Sequence, residues 1–294
     1  LVKLYNSDQT SYYRSSEVEA VIHKALNYWF TAKPVCLNWW YNQIGIPKTL
    51  GTVFILFEKQ LTPVEKQNAI TVMENAKFGM TGQNKVWLAG NVMMRALLQN
   101  DYELVKMARD TIASEIVTGG AEGIKDDWCF HQHGAQQQFG NYGLSFVSGM
   151  SFFSGLFSGT SLAFDDKQLS ILSTLIDKGY RWVIWKGMMD VNALGRQLFH
   201  HAPVHKALSL AFAASELGGG ESDECVAVAI ALLRDNYPAP AVNVLTGHKH
   251  FWQSDYTIHR CPSWMASIKM ASDRIIGTEM MNGDNMKGYY MADK

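Results

Sequence analysis

Apolar residues recur along this chain mostly at intervals of three and four, in one stretch after another. Val18, Val21, Ile22, Ala25, Leu26 and Trp29 recur at helical spacing behind a capping box of Ser16 and Glu19, which predicts a helix over residues 17–30 that ends before Pro34. A second apolar helix is predicted over residues 47–57. Thr62-Pro63-Val64-Glu65 supplies an N-cap, a proline at the first helical position and an acid behind it, so a third helix is expected from there to residue 78. The segment 79–84 (GMTGQN) should interrupt the series, which resumes over residues 85–98, 102–117, 144–157, 166–185, 203–217 and 223–233. From His248 the period shortens: residues 255–260, 263–271 and 288–291 alternate and carry strand-forming residues. Helices followed by strands predict a mainly α protein, with a helical domain over residues 1–247 and the start of an antiparallel β domain over residues 248–294. Consecutive helix pairs suit an α/α toroid or solenoid, whose loops at one end collect functional residues.

One stretch fits neither period. Residues 130–143, FHQHGAQQQFGNYG, crowd histidines, amides, aromatics and glycines into a span that ends like a turn. So polar a loop must either face water or line a site. The adjacent Trp39 and Trp40 are a second feature. Neighbouring helical residues point about 100° apart, so one core face does not readily take both, and at least one is available as a flat surface for sugar rings.

Composition narrows the picture. Hydrophobic residues make up 47% and charged residues 18% of the 294 positions, as in a folded globular protein. With 26 Lys and Arg against 27 Asp and Glu the net charge is -1, so neither nucleic acid nor a membrane surface is expected as a partner. Cys36, Cys129, Cys225 and Cys261 are too scattered for a zinc ribbon or a disulfide scaffold. No apolar run is long enough to span a bilayer, and LVKLYNSDQT lacks the basic and apolar regions of a signal peptide. The first residue is not methionine and the last resemble the opening of a strand, so an excised or incomplete polypeptide is expected.

His133 followed nine residues later by Tyr142 in a glycine-bearing loop, the loop Thr81-Gly82-Gln83-Asn84 before a helix, and Gly195-Arg196 occur in that family's order in polysaccharide lyase family 8, which the chain resembles from Asn38 to its end. That family comprises the chondroitin AC, hyaluronate and xanthan lyases. The resemblance implies an incomplete α/α toroid followed by the first strands of an antiparallel β-sandwich domain. It also implies β-elimination on a uronic-acid-containing polysaccharide, with chondroitin or hyaluronan as the expected substrate. Residue by residue, Tyr142 would transfer the proton, with His133 and Asn84 beside it and Arg196 nearby. Trp39 and Trp40 would form the aromatic platform, and Glu279 and Asn282 would be the supporting carboxylate and amide. His200 stands where the family often has a second arginine. The parent would be a secreted or periplasmic bacterial enzyme, and a monomer is expected.

The chemistry asks for these residue types together. Removing the C5 proton of a uronate puts charge on its carboxylate, which an amide and an imidazole can stabilise by hydrogen bonds. A tyrosine titrates ordinarily near about 10, so as a base it needs a cation such as Arg196 beside it. Its phenol can then protonate the leaving oxygen. No metal or other cofactor is required.

Rival readings use other residues. His131 with His133, and His200, His201 and His205, hint at zinc, although no H-E-x-x-H is present. Cys129 near His131 hints at a nucleophile. A toroidal glycoside hydrolase needs two carboxylates, for which Asp126 or Asp127 with Asp190 or Glu279 are candidates. A carbohydrate-binding scaffold that kept the tryptophans and lost turnover would barely notice a Tyr142→Phe substitution.

Overall fold

The structure is a computed structural model in which residues 1–217 and 245–277 are described. The helix expected over 223–233, the strand expected over 288–291, Cys225, Glu279 and Asn282 lie outside the described residues. The described residues form two compact units, one of residues 1–80 and 84–112, the other of residues 81–83, 113–217 and 245–277.

The first unit is helical: α1 (Val2–Asn6), α2 (Ser16–Ala32), α3 (Ile46–Leu56), α4 (Pro63–Met73), α5 (Gly82–Gln99) and α6 (Tyr102–Ala113), where the ends of α5 and α6 that cross the division belong to the second unit. Ser15, one residue ahead of the expected cap, accepts the Val18 N–H at 3.4 Å. Val18, Ile22, Leu26 and Phe30 of α2 bury against Tyr5, Phe54, Phe57 and Met73, while Val21 is 51% exposed, so the buried stripe is narrower than the apolar pattern. A π-helical turn, Tyr41–Gly45, precedes α3. α4 stops at Met73, short of its expected end, and α5 starts early enough to take Asn84 into its first turn.

The capping box of α4 forms as its sequence predicts and does more than cap. Thr62 Oγ1 accepts the Glu65 N–H at 3.2 Å and Glu65 accepts the Thr62 N–H at 2.9 Å. Glu65 also bonds His23 Nδ1 at 2.8 Å and accepts from Asn27 Nδ2 at 3.2 Å, so a helix cap on α4 ties down α2. Burial favours the neutral acid, but the bonds from Thr62 and His23 outweigh it and hold the carboxyl below its usual range. A depressed carboxyl contributes stability above its unfolded pKa and loses it as pH falls through the folded value. Glu65→Ala should therefore cost about 1–2 kcal/mol in chemical denaturation at neutral pH. The gap to the parent should narrow below about pH 4; a gap that stays constant down to acid pH would contradict the assignment.

The second unit begins with a short hairpin, β1 (Gly123–Ile124) against β2 (Phe130–His131), which takes up the start of the polar stretch. A π-helical turn, Phe139–Gly143, leads into α7 (Leu144–Phe157). The helix expected over 166–185 is three elements instead: α8 (Asp166–Leu175), a π-helical turn Ile176–Tyr180, and strand β3 (Ile184–Trp185), paired with β4 (Met188–Met189). The turn brings Gly179 so close to the Trp128 carbonyl that a Cβ would lie 2.4 Å from it. α9 (Ala202–Glu216) packs along α7, where Ser151 Oγ donates to the Ala213 carbonyl at 3.0 Å.

A three-stranded antiparallel sheet follows in the order β5 (Gly247–Phe251), β6 (Tyr256–Arg260), β7 (Met265–Lys269). Phe251, Tyr256, Ile258 and Arg260 are buried, whereas His248, His250, His259 and Ile268 face outward. Phe251 meets Phe139 edge-on at 5.2 Å, which joins the sheet to the polar stretch. Among the described residues no helix is long and apolar enough to cross a membrane.

Candidate active site

The polar stretch is largely buried, and most of its amides do structural work. Gln138 Nε2 donates to Gln136 Oε1 at 2.7 Å, and Gln136 Nε2 donates to the Gly277 carbonyl at 2.6 Å. The Gln138 carbonyl accepts the Gly143 N–H at 2.9 Å, closing the turn that carries Tyr142. Gln132 Oε1 accepts the Gln83 N–H at 2.9 Å. Gly82, beside it, has φ of 56°, and a Cβ there would lie 2.3 Å from Gln132 Oε1, so this approach needs glycine on both counts.

The stretch also gathers three candidate groups. Tyr142 is 6% exposed. The His133 ring meets it edge-on with centroids 4.7 Å apart. Arg196 Nη2 lies 3.4 Å from the Tyr142 hydroxyl, with the guanidinium carbon 5.6 Å from the ring centre. Burial lowers the His133 pKa, the Arg196 charge lowers it further and Glu122 opposes them, so the imidazole is neutral near pH 7.

His133 has φ of 62°, an unfavourable conformation for a non-glycine residue. Glu122 holds it there: its carboxylate accepts the Gly134 N–H at 2.9 Å, the Gln132 side-chain amide and the Thr81 hydroxyl. A phenol with a cation at its oxygen and a neutral imidazole at its edge can exchange a proton with a substrate while the imidazole hydrogen-bonds an anion.

Family models match most of the chain. The N-terminal α-helical domain of polysaccharide lyase family 8 matches residues 1–215, and the super-sandwich domain of the same family matches residues 246–293. The chain belongs to polysaccharide lyase family 8. Among its family 8 relatives, chondroitinase-AC from Pedobacter heparinus is 28% identical over the whole chain and 43% of its own length. A hyaluronate lyase from Thermasporomyces composti is 26% identical over 86% of the chain and 37% of its own length. A solved chondroitinase AC lyase, studied with bound oligosaccharides, superposes with a TM-score of 0.84 at 26% identity, over 96% of the chain and 42% of that structure. The chain thus spans about two-fifths of the length of these relatives. Its fold class is theirs, an incomplete α/α toroid followed by the first strands of an antiparallel sheet.

Against the residues singled out from sequence, family 8 membership leaves a divided picture. His133, Tyr142 and Arg196 come together in the second unit. His200 is exposed, its ring 3.7 Å from that of His201. Asn84, Trp39 and Trp40 belong to the first unit. Asn84 is 6% exposed, and its side-chain oxygen has no hydrogen-bond partner among the described residues. The tryptophans divide as their geometry requires: Trp39 is 44% exposed, whereas Trp40 packs edge-on against Trp87 at 5.5 Å.

The residues of the rival readings find other partners. His131 points inward to the Ser254 hydroxyl at 2.8 Å, and burial together with the Lys125 and Lys269 charges pushes its pKa down to about 4. The same hydroxyl lies 2.9 Å from Cys129, whose thiol burial holds firmly protonated. Among the described residues no three His, Cys, Asp or Glu side chains gather as a metal site would need. Asp127 accepts the Cys129 N–H at 3.0 Å and the Gln253 N–H at 2.7 Å, and Asp190 accepts from the Tyr256 hydroxyl and the Asn192 N–H.

Sequence reasoning passed over Glu122 and Lys206. Glu122 carries no signal beyond being an acid near the polar stretch. Lys206 does carry one, since it falls four residues after Ala202 and four before Leu210 on the apolar face of α9.

Proposed function

We propose that this chain belongs to a lyase that cleaves a uronic-acid-containing polysaccharide, chondroitin or hyaluronan, by β-elimination. The observation that carries the reading is the Arg196 guanidinium at the Tyr142 hydroxyl, with His133 at the ring edge. Tyr142 removes the C5 proton of the uronate, with the Arg196 guanidinium beside its oxygen. The electron pair left on C5 forms the C4–C5 double bond as the C4–oxygen bond breaks, and the Tyr142 proton passes to the departing oxygen. His133 and Asn84 stabilise the uronate carboxylate as charge builds on it. Trp39 offers its exposed face to a sugar ring, and Trp40 joins it in the platform by family likeness. Glu279 and Asn282 complete the assignment by family likeness, and His200 meets the substrate at the position where the family often has arginine. A secreted or periplasmic location goes with this reading.

The unsaturated uronate product absorbs in the ultraviolet, so absorbance during incubation with chondroitin, hyaluronan and xanthan, with and without a chelator, tests the reading. A rise on chondroitin or hyaluronan that survives chelation is expected; a hydrolytic product without the double bond would refute it. The rate profile should also show an inflection on the acid side, where His133 takes up a proton and changes from a neutral donor to a cation beside the uronate carboxylate; as that limb rises or falls it reports the His133 charge. Because its pKa is lowered, that limb should lie below the ordinary imidazole value of about 6.5. Glu122→Gln should move the limb further down, since the Glu122 charge is what raises the His133 pKa. An unmoved limb would remove His133 from the role.

A further inference from the structure

Lys206 is a lysine where its helix should carry an apolar residue. It sits on the buried face of α9 with Ala202, Ala207, Leu210 and Ala211 and is 5% exposed. An ammonium so placed is costly unless it is well bonded. Its Nζ donates to the Gly140 carbonyl and, at 2.7 Å, to Gln197 Oε1, and lies 5.6 Å from the centre of the Phe199 ring. Both hydrogen-bond partners are neutral, and both belong to loops that carry candidate site residues. Gly140 lies two residues before Tyr142 in the same π-helical turn, and Gln197 follows Arg196.

We propose that Lys206 is a positioning residue: by bonding the Gly140 carbonyl and the Gln197 side chain at once, it holds the Tyr142 turn in register with Arg196. The proposal rests on the lyase reading for its effect on turnover, but the clamp itself is a matter of geometry. The contact it would control is a sensitive one. At 3.4 Å the Arg196–Tyr142 pair is at the outer edge of hydrogen bonding, where a small slide of either loop breaks it. Burial brings the Lys206 pKa down to about 8. Protonated or neutral, the amine keeps N–H groups enough for both acceptors, so the clamp does not depend on the charge.

Lys206→Met keeps the unbranched shape and removes the donors. At a temperature well below its unfolding transition, this variant should lose about tenfold to a hundredfold in kcat with KM within about threefold, as misplaced reacting groups do. Backbone amides of residues 138–143 and 195–198 should exchange hydrogen faster than in the parent, with α7 unchanged. Gln197→Met, which removes one anchor, should lose less, and the double variant should be no worse than Lys206→Met alone.

A folded Lys206→Met protein with parental kcat would overturn the proposal, because a merely structural lysine would shift only the unfolding temperature. If the parent itself gives no unsaturated product on any polymer, it is the lyase reading that fails. The clamp is then decided by exchange: faster exchange in both loops upholds it, and unchanged exchange in either overturns it.

Discussion

Tyr142→Phe is expected to bind polysaccharide as tightly as the parent and to turn it over about a thousandfold to ten-thousandfold more slowly. The phenol oxygen is the only atom removed. The ring, which is buried and meets His133 edge-on, keeps its packing, so the variant should fold and hold the substrate as before. What it loses is a group asked both to take the C5 proton and to return it to the leaving oxygen; general acid–base catalysis of that kind is worth about 10²–10⁴ in rate. Absorbance at saturating substrate gives the turnover, and calorimetric titration with a defined oligosaccharide gives the affinity. Turnover within about tenfold of the parent would move the proton-transfer role elsewhere. Equal loss of affinity and turnover would make the hydroxyl a binding group.

Gly140→Ala should be the most damaging single-methyl change near the site. A Cβ on Gly140 would lie 2.8 Å from Leu194 Cα, 2.9 Å from the Ala193 carbonyl oxygen and 3.0 Å from Met189 Sδ. Two of those atoms are backbone, and they immediately precede Gly195-Arg196, so relief comes only by parting the Tyr142 turn from the Arg196 loop. Overpacking of this kind costs about 1–3 kcal/mol. Because the parting also lengthens the 3.4 Å approach of Arg196 to Tyr142, turnover should fall by more than about tenfold in protein that is still folded. Gly155→Ala is the matched control. Its Cβ meets nothing within 4 Å on the exposed side of α7, so it should be neutral or stabilising by up to about 1 kcal/mol, with parental turnover. If the two alanines behave alike in thermal unfolding and in rate, the close approach at Gly140 has no functional weight.

The parts of the fold that were legible in the sequence are those whose causes are local. The Thr62–Glu65 capping box lies within one turn of chain, and it forms as read. α7 matches its predicted bounds, and α3 and α9 come within one residue of theirs. The misreadings have distant causes. Residues 166–185 keep a helical pattern throughout, yet the chain leaves the α-helix at Ile176, where Gly179 must approach the Trp128 carbonyl some fifty residues back. Asp127 and Asp190 read as candidate catalytic carboxylates until their bonds to Gln253, in the turn between β5 and β6, and to Tyr256 of β6 are seen.

The same division runs through the candidate site. The nine-residue spacing of His133 and Tyr142, the Gly195-Arg196 pair and the tryptophan pair stand in the sequence, and with them the family. Residue type and spacing are enough to name such groups. Only the tertiary structure decided that Arg196 meets the Tyr142 hydroxyl, that His131 turns inward while His133 does not, that Trp39 rather than Trp40 is exposed, and that Lys206 joins two loops. The physical reason is that helical periods and caps are satisfied by neighbours along the chain, whereas a buried polar side chain is satisfied by whatever distant segment the packing brings to it, and that segment is not written at any fixed spacing.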